Sequence, residues 1–197
     1  MAWLILSVFL WGMLHSILAS HPAKNLARHW LGERFMRFYR LAYNLFAGFS
    51  FIPVLLLAAR LPQHALYRVP WPWAIWLYAG QFLALAALVA GFLQTDPWEF
   101  LGLRQLKETG EVRRATLVTA GLYRHVRHPL YTSGLAFIWL LPVMTTTLLM
   151  LNIGLTLYII IGAIFEERKL QREFGQSYSD YAAVTPMLIP FLPRNKS

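Results

Sequence analysis

The chain contains no cysteine, which excludes disulfides, thiolate-bound metals and a covalent cysteine intermediate. Whatever chemistry it carries must use other groups. Acidic residues are scarce too, 9 Asp and Glu against 18 Lys and Arg, for a net charge of +9. Internal repeats and low-complexity stretches are missing, so a single domain over residues 1–197 is expected. Charge of either sign makes up only 14% of the chain, against 57% hydrophobic and 15% aromatic residues, with a mean hydropathy of +0.46. That is too apolar for an ordinary soluble domain of this length, and lipid is the expected solvent. The basic residues flank apolar segments and form no aromatic-studded stripe, so anionic lipid headgroups are the expected partners and nucleic acid is not.

The expected fold is all-α, a bundle of about five transmembrane helices. A spanning helix needs roughly 20 mostly apolar residues, and such runs extend over Trp3–Ser20, Leu41–Ala59 and Trp73–Leu93. The chain is apolar again from Pro129 to Phe165, broken by Leu141-Pro142 and Thr145-Thr146-Thr147, the pattern of a helical hairpin. The first run has no basic segment before it, and Leu18-Ala19-Ser20 is a weak cleavage signal, so it reads as a retained anchor. Residues 1–93 would form a three-helix scaffold, and residues 94–197 a polar loop, the hairpin and a tail.

Basic residues orient these spans. Lys24, Arg28, Arg34, Arg37 and Arg40 separate the first two runs. Arg104, Lys107, Arg113, Arg114, Arg124 and Arg127 follow the third, and Arg168, Lys169, Arg172, Arg194 and Lys196 lie after the last. The alternate connections hold little but Arg60 and Arg68. An excess of Lys and Arg marks cytoplasmic loops, placing the N-terminus outside, the C-terminus inside and any polar pocket on the cytoplasmic face. Trp71, Trp73, Trp76 and Tyr78 read as an outer interfacial belt.

Two polar stretches carry the chemistry. TLVTAGLYRHVRHPLY, from Thr116 to Tyr131, ends where an apolar helix begins. Pro129 suits the first turn of that helix, Gly121 suits a tight turn, and a helix start favours an anion such as a carboxylate. The bland alternative is a basic loop whose Arg124 and Arg127 bind lipid phosphate. His125 and His128 lack further ligands at metal-binding spacing, so no metal is expected. EERKLQREFGQSYSDY, from Glu166 to Tyr181, follows the last apolar run. Two carboxylates near the negative end of a helix dipole call for a compensating cation, either Arg168, Lys169, a loop arginine or a cationic ligand. Tyr123, Tyr131, Tyr178 and Tyr181 are candidates for cation–π contacts with such a ligand.

At these residues the chain resembles the integral membrane methyltransferases that include isoprenylcysteine carboxyl methyltransferases and phospholipid methyltransferases. The resemblance lies in the TLVT run, Gly-x-Tyr, Arg-His-Pro-x-Tyr, Glu-Glu and Phe-Gly-x-x-Tyr-x-x-Tyr, in that order. It implies S-adenosyl-L-methionine as methyl donor, held by Thr116, Leu117, Val118, Tyr123, His128, Pro129, Leu130, Tyr131 and Glu166, with Gly121 as the turn and Glu167 as a further contact. Similarity to bacterial methanethiol S-methyltransferases extends to FLGLRQ (Phe100–Gln105), Pro142–Thr145 and PMLIP near the end. Gly162 stands where isoprenylcysteine enzymes carry an arginine for the substrate carboxylate, so prenylcysteine is not the expected acceptor. Ala115 replaces a family histidine, and Ser133 takes a position that is often glycine.

The resemblance therefore implies methyl transfer to a small or apolar thiol, with a lipid-like amine left open, in a bacterial inner (plasma) membrane. A thiol has an ordinary pKa of about 8.5, so a nearby cation such as Arg127, Arg104 or His128 would raise its thiolate fraction. Arg127, His128 and Glu167 are the catalytic candidates. A second resemblance, of LHSILAS (Leu14–Ser20) and RFYRLAYNLFA (Arg37–Ala47) to NnrU-like membrane proteins, carries the alternative of a noncatalytic redox or haem accessory. That reading rests on His15 inside a span and on His21, His29 and His64, which are expected in loops.

Overall fold

The computed structural model describes residues 2–107 and 116–190. Arg113, Arg114, Ala115, Arg194 and Lys196 lie outside the described residues, as do the side chains of Gln105 and Lys107. The fold is mostly helical: α1 (Ala2–Ala19), α2 (His21–Arg60), α3 (Ala74–Gln94), α4 (Pro97–Leu101), α5 (Arg104–Lys107), α6 (Pro129–Trp139), α7 (Thr146–Phe174) and α8 (Gln176–Val184), with short strands β1 (Ala65–Arg68) and β2 (Val143–Thr145). Among the described residues four helices, α1, α2, α3 and α7, are long and apolar enough to cross a membrane. The fifth expected crossing corresponds to α6, whose 11 residues extend only about 16 Å at 1.5 Å per residue.

Residues 21–40, expected as a loop, are helical, and this corrects the placing of His21 and His29 in loops. The Ser20 hydroxyl accepts from the Ala23 amide at 3.4 Å and Pro22 follows in the first turn, starting α2 at His21. Gly32, at φ 76° and ψ 169°, interrupts the helix before the apolar part.

The chain divides into two compact units. The first comprises residues 1–64, 96–113 and 146–158. Its core is Leu4 and Val8 of α1, Val54 and Ala58 of α2, and Leu151 of α7. In lipid there is little hydrophobic drive between helices, so close backbone approach and interhelical hydrogen bonds carry the packing. A Cβ added at Gly12 would lie 2.7 Å from the Tyr158 ring, and one at Gly154 would lie 3.0 Å from Val8 Cγ1. Each helix of the α1–α7 pair thus seats a large side chain in a glycine gap of the other. Trp11 Nε1 donates to the Ala47 carbonyl at 3.2 Å, and the Tyr39 hydroxyl to Leu18 O at 2.7 Å. His15 Nε2 is hydrogen-bonded to the Tyr43 hydroxyl, and its ring stacks on Trp11. In the FLGLRQ segment, Gly102 has φ 84° and ends α4; a Cβ there would lie 2.6 Å from the Leu41 backbone nitrogen.

The second unit comprises residues 65–95, 114–145 and 159–197. α3 and α6 lie antiparallel: Gly91 faces Leu130 near the start of α6, and Gly80 faces Leu140 at its end, where an added Cβ would come within 2.9 Å. Gln81 Nε2 donates to Phe137 O at 3.1 Å. At one end, β1 pairs antiparallel with β2, Arg68 opposite Val143 and Ala65 opposite Thr145. At the other, Gly121 adopts φ 61° against Gln94, whose Oε1 accepts from the Leu122 amide at 2.9 Å. The turn at Gly121 and strand β2 therefore flank α6, the first against the end of α3 and the second against β1.

The glycine-gap packing yields a paired test. Gly12→Val should lower the melting temperature in detergent clearly, because the Tyr158 ring has to move. Gly48→Val, where an added Cβ meets nothing within 4 Å, should change stability by little more than the roughly 0.5 kcal/mol helix-propensity difference and leave the melting temperature nearly unchanged. Equal melting temperatures for the two variants would show that the gap is not what seats the helices.

Candidate functional site

The second unit gathers the two polar stretches. A 3₁₀ turn over Gly121–Arg124 leads into residues 125–128, after which Pro129 opens α6. This connection is fastened to the tail: the Arg127 amide donates to Pro186 O at 2.9 Å and the His128 amide to Met187 O at 3.2 Å. Thr132 Oγ1 donates to Leu188 O at 2.6 Å. PMLIP therefore runs against the start of α6, and the amide of its capping residue His128 is already spent on the tail.

Glu167 is the centre of the cluster. Arg127 grips its carboxylate with two parallel bonds, Nε to Oε1 at 2.8 Å and Nη2 to Oε2 at 2.6 Å. His128 Nε2 lies 2.8 Å from Oε1, and the Tyr178 hydroxyl donates to the same oxygen at 2.6 Å. The remaining arginine nitrogen, Nη1, donates to Ala182 O at 3.0 Å and Thr185 O at 2.6 Å. The Arg127 side chain is 9% exposed and that of Glu167 18%, so this is a bidentate, largely desolvated pair, the kind whose separation strands a buried charge.

The apolar run of α7 ends at residue 165, and Glu167 sits beyond it. Burial pushes its carboxyl up, but the hydrogen bonds from His128, Arg127 and Tyr178 and the guanidinium charge prevail and lower it to about 2. Tyr178 is pushed up by burial and by its bond to Glu167. Tyr123 is raised to about 12 by burial and the charge of Glu166, and Tyr181 to about 12, chiefly by burial.

Glu166 is treated differently. Its side chain is 42% exposed, it accepts from the Tyr131 hydroxyl at 2.7 Å, and its Oε2 lies 3.7 Å from His128 Nδ1. The His128 and Tyr131 rings stack at 5.3 Å. Because the Glu167 carboxylate can only accept, His128 Nε2 donates to it, and Nδ1 is the ring nitrogen turned toward Glu166. Glu166 and the Tyr131 face thus form an anionic, aromatic edge beside His128 Nδ1.

The structure brings together Arg127, His128, Tyr131, Glu166 and Glu167, with Pro129 and Leu130 in the same first turn of α6. Tyr123 lies close enough to feel the charge of Glu166, and the Tyr181 hydroxyl donates to the Tyr123 carbonyl at 2.6 Å. Thr116, Leu117 and Val118 precede the 3₁₀ turn, Thr116 exposed and the other two half-buried. Arg104 belongs to the first unit, paired with Asp96 at 2.6 Å. Among the described residues no group of three or more His, Cys, Asp or Glu is placed to hold a metal ion. A cavity of about 840 Å³ lies between the end of α7 and α8, lined by Phe165, Glu167, Arg168, Gln171, Arg172, Tyr178, Ser179 and Ala182. Of the expected cofactor residues, Glu167 contributes to that lining. The tail carbonyls under Arg127 were not legible in the sequence, since backbone acceptors carry no residue-type signal.

Comparison with known proteins places this cluster in context. Residues 100–177 match the phospholipid methyltransferase family. Methanethiol S-methyltransferase 2 of Bradyrhizobium diazoefficiens is 37% identical over 60% of this chain and 48% of its own length. The methanethiol S-methyltransferase of Crocosphaera subtropica is 34% identical over 65% and 57%. Methanethiol S-methyltransferase 1 of Bradyrhizobium diazoefficiens is 29% identical over 95% of this chain and 66% of its own length. The chain spans about half the length of the first two of these relatives. No solved structure matches it. The family match includes the residues from Arg127 to Tyr131 and both glutamates, and it ends before Tyr178 and the PMLIP tail.

The lowered Glu167 value gives a pH dependence. A carboxyl held below its ordinary value of 4.5 contributes stability that is complete above that value and is lost as pH falls toward about 2. Between about pH 5 and pH 3 the melting temperature of the wild type should fall more steeply than that of Glu167→Gln, which has no proton to take up. Parallel profiles would mean that the pair is not formed in solution.

Proposed function

We propose that the protein is an S-adenosylmethionine-dependent methyltransferase of the membrane, acting on a small or apolar thiol. The observation that carries this reading is the division of labour between adjacent carboxylates. Glu167 is neutralised by Arg127, whereas Glu166 is half-exposed and set beside His128 Nδ1 and the Tyr131 hydroxyl. An ammonium and a sulfonium fit such an anionic, aromatic edge. The family match over residues 100–177 and the named activity of the relatives support the same reading.

In this proposal Glu166, His128 and Tyr131 hold the cationic part of the donor. Thr116, Leu117, Val118, Gly121, Tyr123, Pro129 and Leu130 shape the remainder of its site. When bound, the cofactor supplies an electrophilic methyl group on sulfur. The chain's own task is to align acceptor and methyl and to exclude water. Arg127 and Glu167 position His128 and the tail, and the acceptor thiol reacts as its thiolate, with its proton lost to solvent. Methanethiol, the substrate named for the relatives, is the proposed acceptor type.

The proposed topology has five crossings, N-terminus outside and C-terminus inside, in a bacterial inner membrane with the site facing the cytoplasm. The excess of Lys and Arg around the site supports that orientation. The fifth crossing is α6 with its flanking turn and strand, supported by the Gly91–Leu130 and Gly80–Leu140 contacts along α3 and by β1–β2 at its far end.

Calorimetric titration of the detergent-purified protein with S-adenosylmethionine tests the reading. Saturable binding is expected for the wild type, weakened at least about tenfold, or about 1.4 kcal/mol, in both Glu166→Ala and His128→Ala. A folded wild type that shows no saturable binding at millimolar cofactor would sink it.

A further inference from the structure

The cavity between the end of α7 and α8 has a composition that the methyl-donor reading does not use. Arg168 and Arg172 stand one helical turn apart on its wall. Among the described residues neither guanidinium is paired with a carboxylate. Arg172 Nε donates to the Arg168 carbonyl at 3.2 Å, and Arg168 sits 5.6 Å over the Phe165 ring. The one carboxylate among the lining residues, Glu167, is already held by Arg127 through two hydrogen bonds. The cavity is therefore cationic, which disfavours a sulfonium and an ammonium and favours an anion.

Its position decides which anion. Phe165 is the last residue of the apolar run and begins the lining. It is 61% exposed, and Ile161 on the same helix is 53% exposed. Apolar surface thus leads directly to two arginines, in the order in which a lipid presents acyl chain and then phosphate. Guanidinium groups match phosphate oxygens in geometry as well as charge, and basic residues just cytoplasmic of a span attract anionic headgroups.

We propose that this groove holds an anionic phospholipid, its phosphate on Arg168 and Arg172 and an acyl chain against Phe165 and Ile161. The lipid is a resident ligand and not the methyl acceptor. The inference rests on membrane embedding alone and stands or falls separately from methyl transfer.

Native mass spectrometry of the full chain in a neutral detergent, with added phosphatidylglycerol or phosphatidylcholine, tests it. Phosphatidylglycerol adducts should predominate on the wild type and fall at least about tenfold in the Arg168→Ala/Arg172→Ala double variant. The Arg168→Lys/Arg172→Lys variant should retain part of the binding, because charge is kept and the bidentate fork is lost. Arg28→Ala, which removes an exposed arginine paired with Glu33, should bind as the wild type does. Melting temperatures in parallel confirm that each variant is folded. Equal adducts with the two lipids, or undiminished phosphatidylglycerol binding in the folded double alanine variant, would overturn the proposal. Displacement of the lipid by millimolar inorganic phosphate would also overturn it, by assigning the cavity to a free anion.

Discussion

The carboxylate of Glu167 is the point on which the polar part of the molecule turns. It accepts from Arg127, His128 and Tyr178, so a loop, the end of a membrane helix and a short terminal helix all meet on two oxygen atoms. Charge-assisted bonds of this kind are stronger than neutral ones, and a partly satisfied network would be worse than none. Arg127 extends the same knot to the carbonyls of Ala182 and Thr185, and the backbone of residues 127 and 128 completes it through Pro186 and Met187. His128 is thereby fixed in orientation, with one nitrogen committed to Glu167 and the other turned toward Glu166. Glu166 stays outside that arginine clamp and is 42% exposed.

The membrane constrains the remainder. Where lipid is the solvent, helices associate through close contact and hydrogen bonding. The molecule accordingly spends glycine at Gly12 and Gly154 in the first unit and at Gly80 and Gly91 in the second. α6 is short: the 3₁₀ turn before it lies against Gln94 at the end of α3, and the β1–β2 pair follows it at the other end.

Much of this was legible from residue types. The apolar runs locate α1, α3 and the apolar parts of α2 and α7, and the two polar stretches meet in space. Among the proposed cations for the glutamate pair, a loop arginine is the one that Glu167 uses. Other features were hidden for physical reasons. Residues 21–40 are rich in charge and lack an apolar run, so hydropathy marks them as a loop, although Ser20 and Pro22 carry a helix-start signal. The hairpin run from Pro129 is interrupted at Leu141-Pro142, as the sequence suggests, but the pairing of Val143–Thr145 with Ala65–Arg68 joins residues far apart in the chain and has no sequence signal. Tyr178 and Tyr181, read as ring contacts for a cation, spend their hydroxyls on Glu167 and on the Tyr123 carbonyl, partners that spacing cannot reveal.

We propose that these residues form a methyl-transfer site. This is tested most directly by supplying the purified protein with methyl-deuterated S-adenosylmethionine and methanethiol and analysing the headspace for dimethyl sulfide. A product carrying one labelled methyl group is expected, formed by the wild type and lost in a folded Tyr131→Phe, Glu166→Gln double variant. A folded, cofactor-binding protein that yields no labelled product from any small thiol, or a double variant as active as the wild type, would contradict it.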